Sequence, residues 1–270
     1  SGTRRAELTE RISKIPAPTL VGTEPALKAI KNYIRFGNFK FEESKICRGQ
    51  MPQNIIEKIK SVGVLKEAEA MAVLKELGFP IAESTLLYSE EDLKNNADKF
   101  DYPVVLKTAV DGILHKADVG GVVLNIRSFE QLKQEYTGMS KRLGNACIVA
   151  PMVKFDTELI FGMKTDPTFG PLVIVGAGGI FTELLRDKIV LTPSASKEEI
   201  KAKLQTLKTY KLLTGFRGTT PVNIDILVDA IKKFCEIAIN LSEWINEIDI
   251  NPVAVTGNNI VALDALMICN

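Results

Sequence analysis

The 270-residue chain has a single histidine, a single tryptophan, and four cysteines set far apart at Cys47, Cys147, Cys235 and Cys269. Cysteines so dispersed offer no paired spacing for a zinc site or a redox couple, and they read as reduced, buried apolar residues of a cytoplasmic protein. Neither sign of charge is in excess: 34 Lys plus Arg stand against 33 Asp plus Glu, a formal net charge of +1. No global field therefore recruits nucleic acid, a membrane surface or an acidic partner, and any anion binding has to be local. No run approaches the roughly 20 apolar residues that span a bilayer, and Ser1-Gly2-Thr3-Arg4-Arg5 lacks the apolar stretch of a signal peptide. Internal repeats and low-complexity tracts are also missing. What remains is 46% hydrophobic and 25% charged, enough for one large core or two modest ones in a soluble globular chain.

The first 60 or so residues differ from the rest. Thr23, Glu24 and Pro25 supply an N-cap, an acidic first turn and an N1 proline for a helix through about Phe36. Gly37 to Gln53 mixes Gly, Asn, Lys, Glu and Pro without period and reads as a linker, with a domain boundary near Gly63. Val64 to Leu77 then has helical spacing and stops at Gly78 and Pro80. Extended runs and capped helices follow. They are Thr85 to Tyr88, a Ser89-capped helix to about Phe100, Val104 to Lys107, Gly120 to Ile126, and a Ser128-capped helix to about Leu143. Ile148 to Val153, Glu158 to Lys164, Leu172 to Val175 and Phe181 to Val190 read as strands, and Ser196 to Leu207 and Pro221 to Leu241 as helices. Ile245 to Ile250 and Asn259 to Asp264 close the chain as two strands. The pattern is a sheet with helices, an α/β (α+β) class.

Chemistry concentrates in a few places. His115 lies in Leu114-His115-Lys116-Ala117-Asp118-Val119-Gly120-Gly121-Val122. A neutral imidazole is a competent nucleophile near neutral pH and can carry a phosphoryl group on nitrogen; Asp118 is placed to orient the ring. Gly120 and Gly121, just before a strand, let bare backbone N–H groups approach a phosphate. On histidine content alone, a solvated surface histidine is the plainer reading. Lys107 ends a β-branched strand, either reaching into a cleft toward a polyphosphate or carrying its charge into solvent. Val175-Gly176-Ala177-Gly178-Gly179-Ile180 is either a hairpin turn or a point of close backbone approach, and it lacks the spacing of a dinucleotide fingerprint. Glu183, just beyond, faces either a substrate or solvent. Asp264 sits in an apolar run where an unpaired carboxylate is costly, and with Asn251 it offers the oxygen ligands Mg²⁺ prefers. Asp249 and Asn251 equally suit a capped or turning strand end before Pro252.

Taken in order, Tyr102-Pro103-Val104-Val105-Leu106-Lys107, His115 to Val122, Asp166-Pro167-Thr168-Phe169-Gly170-Pro171, Gly178-Gly179-Ile180-Phe181-Thr182-Glu183, Gly215-Phe216-Arg217-Gly218 and Glu247-Ile248-Asp249-Ile250-Asn251-Pro252 resemble the ATP-grasp portion of ADP-forming acyl-CoA synthetases. These are relatives of the succinyl-CoA synthetase β subunit, and the resemblance covers about Leu65 to Met267. It implies an ATP-grasp fold of two α/β subdomains, 63–145 and 146–270, with the nucleotide between them. Residues 1–62 would be a helical tail of a preceding CoA-ligase domain plus linker, so the chain would be part of a fused enzyme.

The resemblance also implies roles. His115 would be the second phosphohistidine, passing phosphate between a histidine of a partner domain and ADP. Lys107 would hold nucleotide phosphates of ATP or ADP, Gly120 and Gly121 would line the phosphate loop, and Asn251 and Asp264 would hold Mg²⁺. Pro151, Met152 and Val153 would meet the adenine, and Glu158 the ribose or phosphates. Glu183, Arg217 and Asp249 match motif positions as possible additional site residues. The implied partners are the CoA-binding and CoA-ligase domains, in the same or a companion chain, and an acyl-CoA or carboxylate. Ala117, Ala150 and Leu266 depart from the family's usual serine, glutamine and arginine. An alternative is a nucleotide-sensing domain without turnover, as in fusions with an acyltransferase. A third reading is an ATP-grasp ligase that makes a free acyl phosphate without phosphorylating the enzyme.

Overall fold

In the computed structural model, the described residues are 10, 22–38, 48–113, 116–179, 187–216 and 218–270. His115, Glu183, Arg217 and Cys47, residues 1–9, 11–21 and 39–47 of the expected tail and linker, and the first half of the expected Phe181 to Val190 strand lie outside them. The chain divides into two compact units, Ser1–Lys45 and Ile46–Asn270. In the first, helix α1 (Thr23–Gly37) starts one residue after Gly22 and carries Glu24 in its first turn and Arg35 in its last, each at the end its charge favours.

The second unit holds two antiparallel sheets. Strands β2 (Thr85–Leu87), β3 (Val104–Thr108), β4 (Val122–Ile126) and β5 (Cys147–Pro151) form one, in the order β2-β5-β3-β4. Helix α5 (Phe129–Leu143) is capped by Ser128, whose hydroxyl accepts from the Gln131 amide, and α4 (Glu90–Asn95) likewise by Ser89. Each such cap is worth about 1 kcal/mol. Leu132, Tyr136 and Met139 of α5 and Leu93 of α4 pack with Leu87, Val104, Leu106, Ile126, Cys147 and Val149 in one core. A fully buried Leu or Ile contributes roughly 1.5–3 kcal/mol.

The larger sheet runs β1 (Val64–Leu65), β11 (Ala265–Cys269), β9 (Ile245–Thr256), β6 (Thr157–Asp166), β7 (Gly170–Ala177) and β8 (Lys188–Leu191), with β10 (Asn259–Ala262) also paired to β9. Its buried face meets α8 (Ile224–Leu241), whose apolar stripe packs on β6, β7 and β10. Phe79, Phe161 and Phe234 meet there with ring centroids 5.7 to 6.0 Å apart. Helices α2 (Gln53–Lys60), α3 (Glu67–Glu76), α6 (Lys197–Leu204) and α7 (Tyr210–Leu213) complete the unit. Among the described residues no helix is long and apolar enough to cross a membrane.

Three expectations change. Val64 to Leu77 is not all helix, because Val64 and Leu65 pair with Ile268 and Met267 before α3 begins. Ala265–Cys269, expected to follow the last strand, is itself a strand between β1 and β9. The expected break between 63–145 and 146–270 does not follow the sheets, since β5 is held by both β2 and β3 and belongs with the smaller one. The chain leaves that sheet only after Pro151.

Candidate functional site

The strand expected to end at Ile250 continues through Pro252 to Thr256. Leu159 faces Val253 and Phe161 faces Ile250, so Asn251 and Pro252 together oppose Ile160 alone. This is a bulge, a place where a strand tolerates proline and re-aims its side chains. It keeps Ile248 and Ile250 on one side of the bulge, and Val253 and Val255 on the other, all directed into the same core. Asn251 is exposed and Asp249 half-buried on the opposite face. Burial, and then the charge of Glu247, pushes the Asp249 carboxyl above the ordinary range. The Asn251 amide donates to the Asp264 carbonyl at 3.1 Å, and the Leu263 amide donates to the Pro252 carbonyl at 3.0 Å, so Asn251 and Asp264 are neighbours by backbone hydrogen bonding.

Beside this bulge lies a charged cluster linking the two sheets. Lys107 on β3 donates from Nζ to Glu67 Oε1 at 2.8 Å and to the Leu263 carbonyl at 2.7 Å, with Asp264 Oδ2 at 4.0 Å. Lys116 donates from Nζ to Asp264 Oδ2 at 2.9 Å and also to Glu67 Oε2. The Glu67 side chain is 5% exposed and that of Lys107 12%. Such groups are tolerated inside a protein only when their charges balance and their hydrogen bonds are made, and here two ammonium groups meet two carboxylates. Burial opposes ionisation of Glu67, but Lys107 and Lys116 outweigh it and hold the carboxyl below its ordinary value. Burial and the Glu67 charge push the Asp264 carboxyl up. Burial opposes the charge of Lys116, yet Glu67 and Asp264 raise its pKa.

Lys107, Asp264 and Asn251 are thus brought together, and the cluster adds two residues that nothing along the sequence marks, Glu67 and Lys116. Lys116 stands beside His115 as one more lysine of a loop. Glu67 opens a helix rich in Glu, Lys and Ala, which reads as a solvated helix start, and its partners stand 40 and 49 residues away.

The segment from Lys116 to Gly121 is closed on itself. The Gly121 amide donates to the Lys116 carbonyl at 2.7 Å and the Gly120 amide to the Ala117 carbonyl at 3.0 Å. Neither amide is therefore directed at a phosphate in this state. Arg142 of α5 donates to the carbonyls of Val119 and Gly120. Gly120 takes φ +63°, a left-handed conformation that favours glycine. At Gly121 the reason is packing: a Cβ there would stand 2.5 Å from Thr108 Cγ2 and 2.9 Å from the Lys116 carbonyl oxygen. Gly121→Ala is accordingly expected to destabilise the chain by about 1–3 kcal/mol. Calorimetry should show a melting point several degrees lower, and an unchanged one would contradict this packing.

Pro151, Met152 and Val153 form the exit from the smaller sheet, with the Met152 amide donating to the Pro103 carbonyl at 2.9 Å. Glu158 lies on β6, where its carbonyl accepts from the Gly178 amide at 2.8 Å. A Cβ at Gly178 would stand 2.9 Å from Glu158 Cβ and 3.0 Å from its carbonyl carbon, so the glycine run is a close approach of β7 to β6. Among the described residues no three His, Cys, Asp or Glu side chains are grouped to hold a metal by themselves. Asp264 and Asn251, neighbours through their backbones, offer a carboxylate and an amide oxygen, donor types that suit a hard cation sharing its shell with substrate phosphates and water.

Comparison with known proteins agrees with this geometry. The family model described as an ATP-grasp domain matches residues 58–269. The β subunit of ADP-forming acetate–CoA ligase I from Pyrococcus furiosus is 37% identical, over 80% of this chain and 97% of its own length. Dinucleotide-forming acetyl-coenzyme A synthetase 1 from Ca. Korarchaeum cryptofilum, solved with coenzyme A, Ca-AMPCP and HgCl+, superposes with TM-score 0.75 at 35% identity, covering 81% of this chain and 99% of that one. A second structure of that enzyme, with coenzyme A and Mg-AMPPCP, has its phosphohistidine segment pointing towards the nucleotide binding site (TM-score 0.72, 34% identity, 81% and 99% covered). With two sheets linked by the charged cluster and these matches over most of its length, the chain belongs to the ATP-grasp family, in the branch of the ADP-forming acyl-CoA ligases.

Proposed function

We propose that this chain transfers a phosphoryl group between an adenine nucleotide and His115, as the nucleotide half of an ADP-forming acyl-CoA synthetase. The whole enzyme would interconvert acyl-CoA, ADP and phosphate with carboxylic acid, CoA and ATP. The observation that carries this reading is the buried Lys107–Glu67–Lys116–Asp264 cluster, which comes within one residue of His115 along the chain. Ion clusters this buried are costly as mere structure, and one at the junction of two sheets and beside a strand bulge suits polyphosphate recognition. The related enzyme's phosphohistidine segment, directed at its nucleotide site, supports the same role for the His115 segment here.

In the step toward the enzyme, an imidazole nitrogen of His115 attacks the γ-phosphorus of ATP. The N–P bond forms, the bond from that phosphorus to the β,γ-bridging oxygen breaks, and ADP leaves with the electron pair. The ring proton passes to solvent or a nearby base. Lys107, fixed by Glu67 and the Leu263 carbonyl, holds its ammonium against the phosphates, and Glu158 and Pro151 to Val153 line the remaining nucleotide contacts. Asn251 and Asp264 would hold Mg²⁺, which when bound offsets the charge of the transferring group. His115 would exchange its phosphate with CoA-binding and CoA-ligase domains of the same or a companion chain, in the cytoplasm.

Isotope exchange tests the reading. Transfer to His115 predicts that labelled ADP exchanges into ATP with Mg²⁺ present and neither CoA nor carboxylic acid added, and that His115→Ala loses the exchange. Turnover that requires the acid and survives His115→Ala would instead mark a ligase making a free acyl phosphate.

A further inference from the structure

We propose that Glu67 is a positioning residue for phosphoryl transfer: its carboxylate fixes which way the Lys107 ammonium points, so that a single N–H is left for the phosphate. The inference rests on the phosphoryl-transfer reading and deepens it, since Glu67 would act through Lys107 and touch neither nucleotide nor metal.

Glu67 is itself held from the larger sheet. Leu65, two residues before it, pairs with Met267 of β11, and the Lys66 amide donates to the Glu69 carboxylate at 3.3 Å, closing the first turn of α3. At the first position of that helix the Glu67 carboxylate also meets the positive end of the helix dipole. Lys107 comes from the smaller sheet, on β3 between β4 and β5. The bond from Lys107 to Glu67 therefore sets a side chain of one sheet in register with the other, where Asn251 and Asp264 stand.

A lysine alone holds no fixed direction, because its ammonium carries three rotatable donors on a flexible four-carbon stem. Here two of those donors are taken. Glu67 Oε1 accepts at 2.8 Å, and the Leu263 carbonyl, in the turn from β10 to β11, accepts at 2.7 Å. Asp264 Oδ2, at 4.0 Å, is beyond hydrogen-bonding reach. With two acceptors in place the direction of the third N–H is set, and among the described residues nothing accepts it. A donor aligned before the nucleotide arrives needs no reorganisation when charge develops on the transferring group. The second Glu67 oxygen, Oε2, meets Lys116, so the carboxylate is tied on both sides and cannot swing away from Lys107.

A structural carboxylate and a positioning one differ in what their loss does to binding. The Glu67 side chain is 5% exposed, so its removal is destabilising in either role. A magnesium–nucleotide complex, however, brings net negative charge, which the Glu67 charge repels. Removing that charge at constant volume should leave nucleotide binding as tight or tighter and slow the transfer alone. Damage to the fold would weaken both together.

The full chain is assayed as wild type, Glu67→Gln, Glu67→Asp, Lys107→Met and the double variant Glu67→Gln with Lys107→Met. Melting curves establish folding, equilibrium dialysis of labelled ADP with Mg²⁺ reads binding, and ADP–ATP exchange at saturating nucleotide reads transfer. Glutamine keeps the volume, but its amide offers one acceptor and turns a donor to the other ammonium, so the fixed division between two lysines is lost. Aspartate keeps the charge and falls one methylene short. Glu67→Gln is expected to bind ADP at least as tightly as wild type and to exchange about 10- to 100-fold more slowly, the usual effect of a small misplacement at a reacting centre. Glu67→Asp should lose exchange in the same direction with binding close to that of wild type, and it replaces the glutamine variant throughout if that one does not fold. On the Lys107→Met background the Glu67 substitution should change exchange by less than about twofold, because residues acting as a unit are not additive. Unchanged exchange in the folded Glu67 variants, a loss matched by weaker binding, or a full further loss on the Lys107→Met background would overturn the positioning role and leave the phosphoryl-transfer reading intact. Absence of exchange in wild type would overturn that reading, and the positioning role with it.

Discussion

Glu67→Ala is expected to lower the melting temperature on the order of 10 °C, although no motif marks the position. Removing one partner from a buried ion cluster costs about 3–5 kcal/mol, because the charges left behind have neither water nor a counter-charge. For a unit of this size each kcal/mol is roughly 2–4 °C. Here Glu67 is the shared partner of Lys107 and Lys116, so its loss leaves two buried ammonium groups against the single carboxylate of Asp264. The exposed pair of Lys75 and Glu83, equally well formed at 2.6 Å, provides the contrast. Its side chains are 58% and 76% exposed, and Glu83→Ala should barely move the transition. Calorimetry on the two variants checks the comparison, and equal shifts would mean that the cluster does not hold the sheets together.

Lys107→Met should reduce ADP–ATP exchange by about 10²–10³-fold, the usual cost of deleting one preorganised donor to a developing negative charge. Methionine keeps much of the length and the apolar stem, so the packing of β3 between β4 and β5 survives, and Glu67 still has Lys116. Lys107→Arg is not a conservative replacement. A planar fork cannot place one donor on Glu67 Oε1 and another on the Leu263 carbonyl with the geometry of an ammonium, and a loss of similar direction is expected. Exchange near the wild-type rate in Lys107→Met would remove this lysine from the site.

Much of this was legible along the chain, for identifiable reasons. Helices announced by a serine cap, at Ser89 and Ser128, start where their first-turn chemistry places them. Lys107, Asn251 and Asp264 stood out because each is polar at the end of an apolar run, and the fold brings them together. The bulge at Asn251–Pro252 was hidden, because a proline ends a strand unless the partner strand absorbs the extra residue, and that partner, β6, lies about ninety residues earlier. Val64–Leu65 escaped for a related reason: two residues carry no period, and only β11 at the far end of the chain makes them a strand. Glu67 and Lys116 were invisible as site residues, since a Glu at a helix start and a Lys in a loop are ordinary surface residues until their distant partners fold onto them. At Gly121 the sequence shows only that a side chain is unwelcome, and the neighbours that exclude one, Thr108 and the Lys116 carbonyl, are brought there by the fold.

The most direct measurement is to incubate the chain with γ-labelled ATP and Mg²⁺, quench in base, and map the label by peptide sequencing. A phosphoramidate on the only imidazole of the sequence predicts label that survives base, is lost in acid, and resides in the peptide containing His115, with none in His115→Ala. Label that resists acid, or that persists in His115→Ala, would show that the phosphate travels by another route.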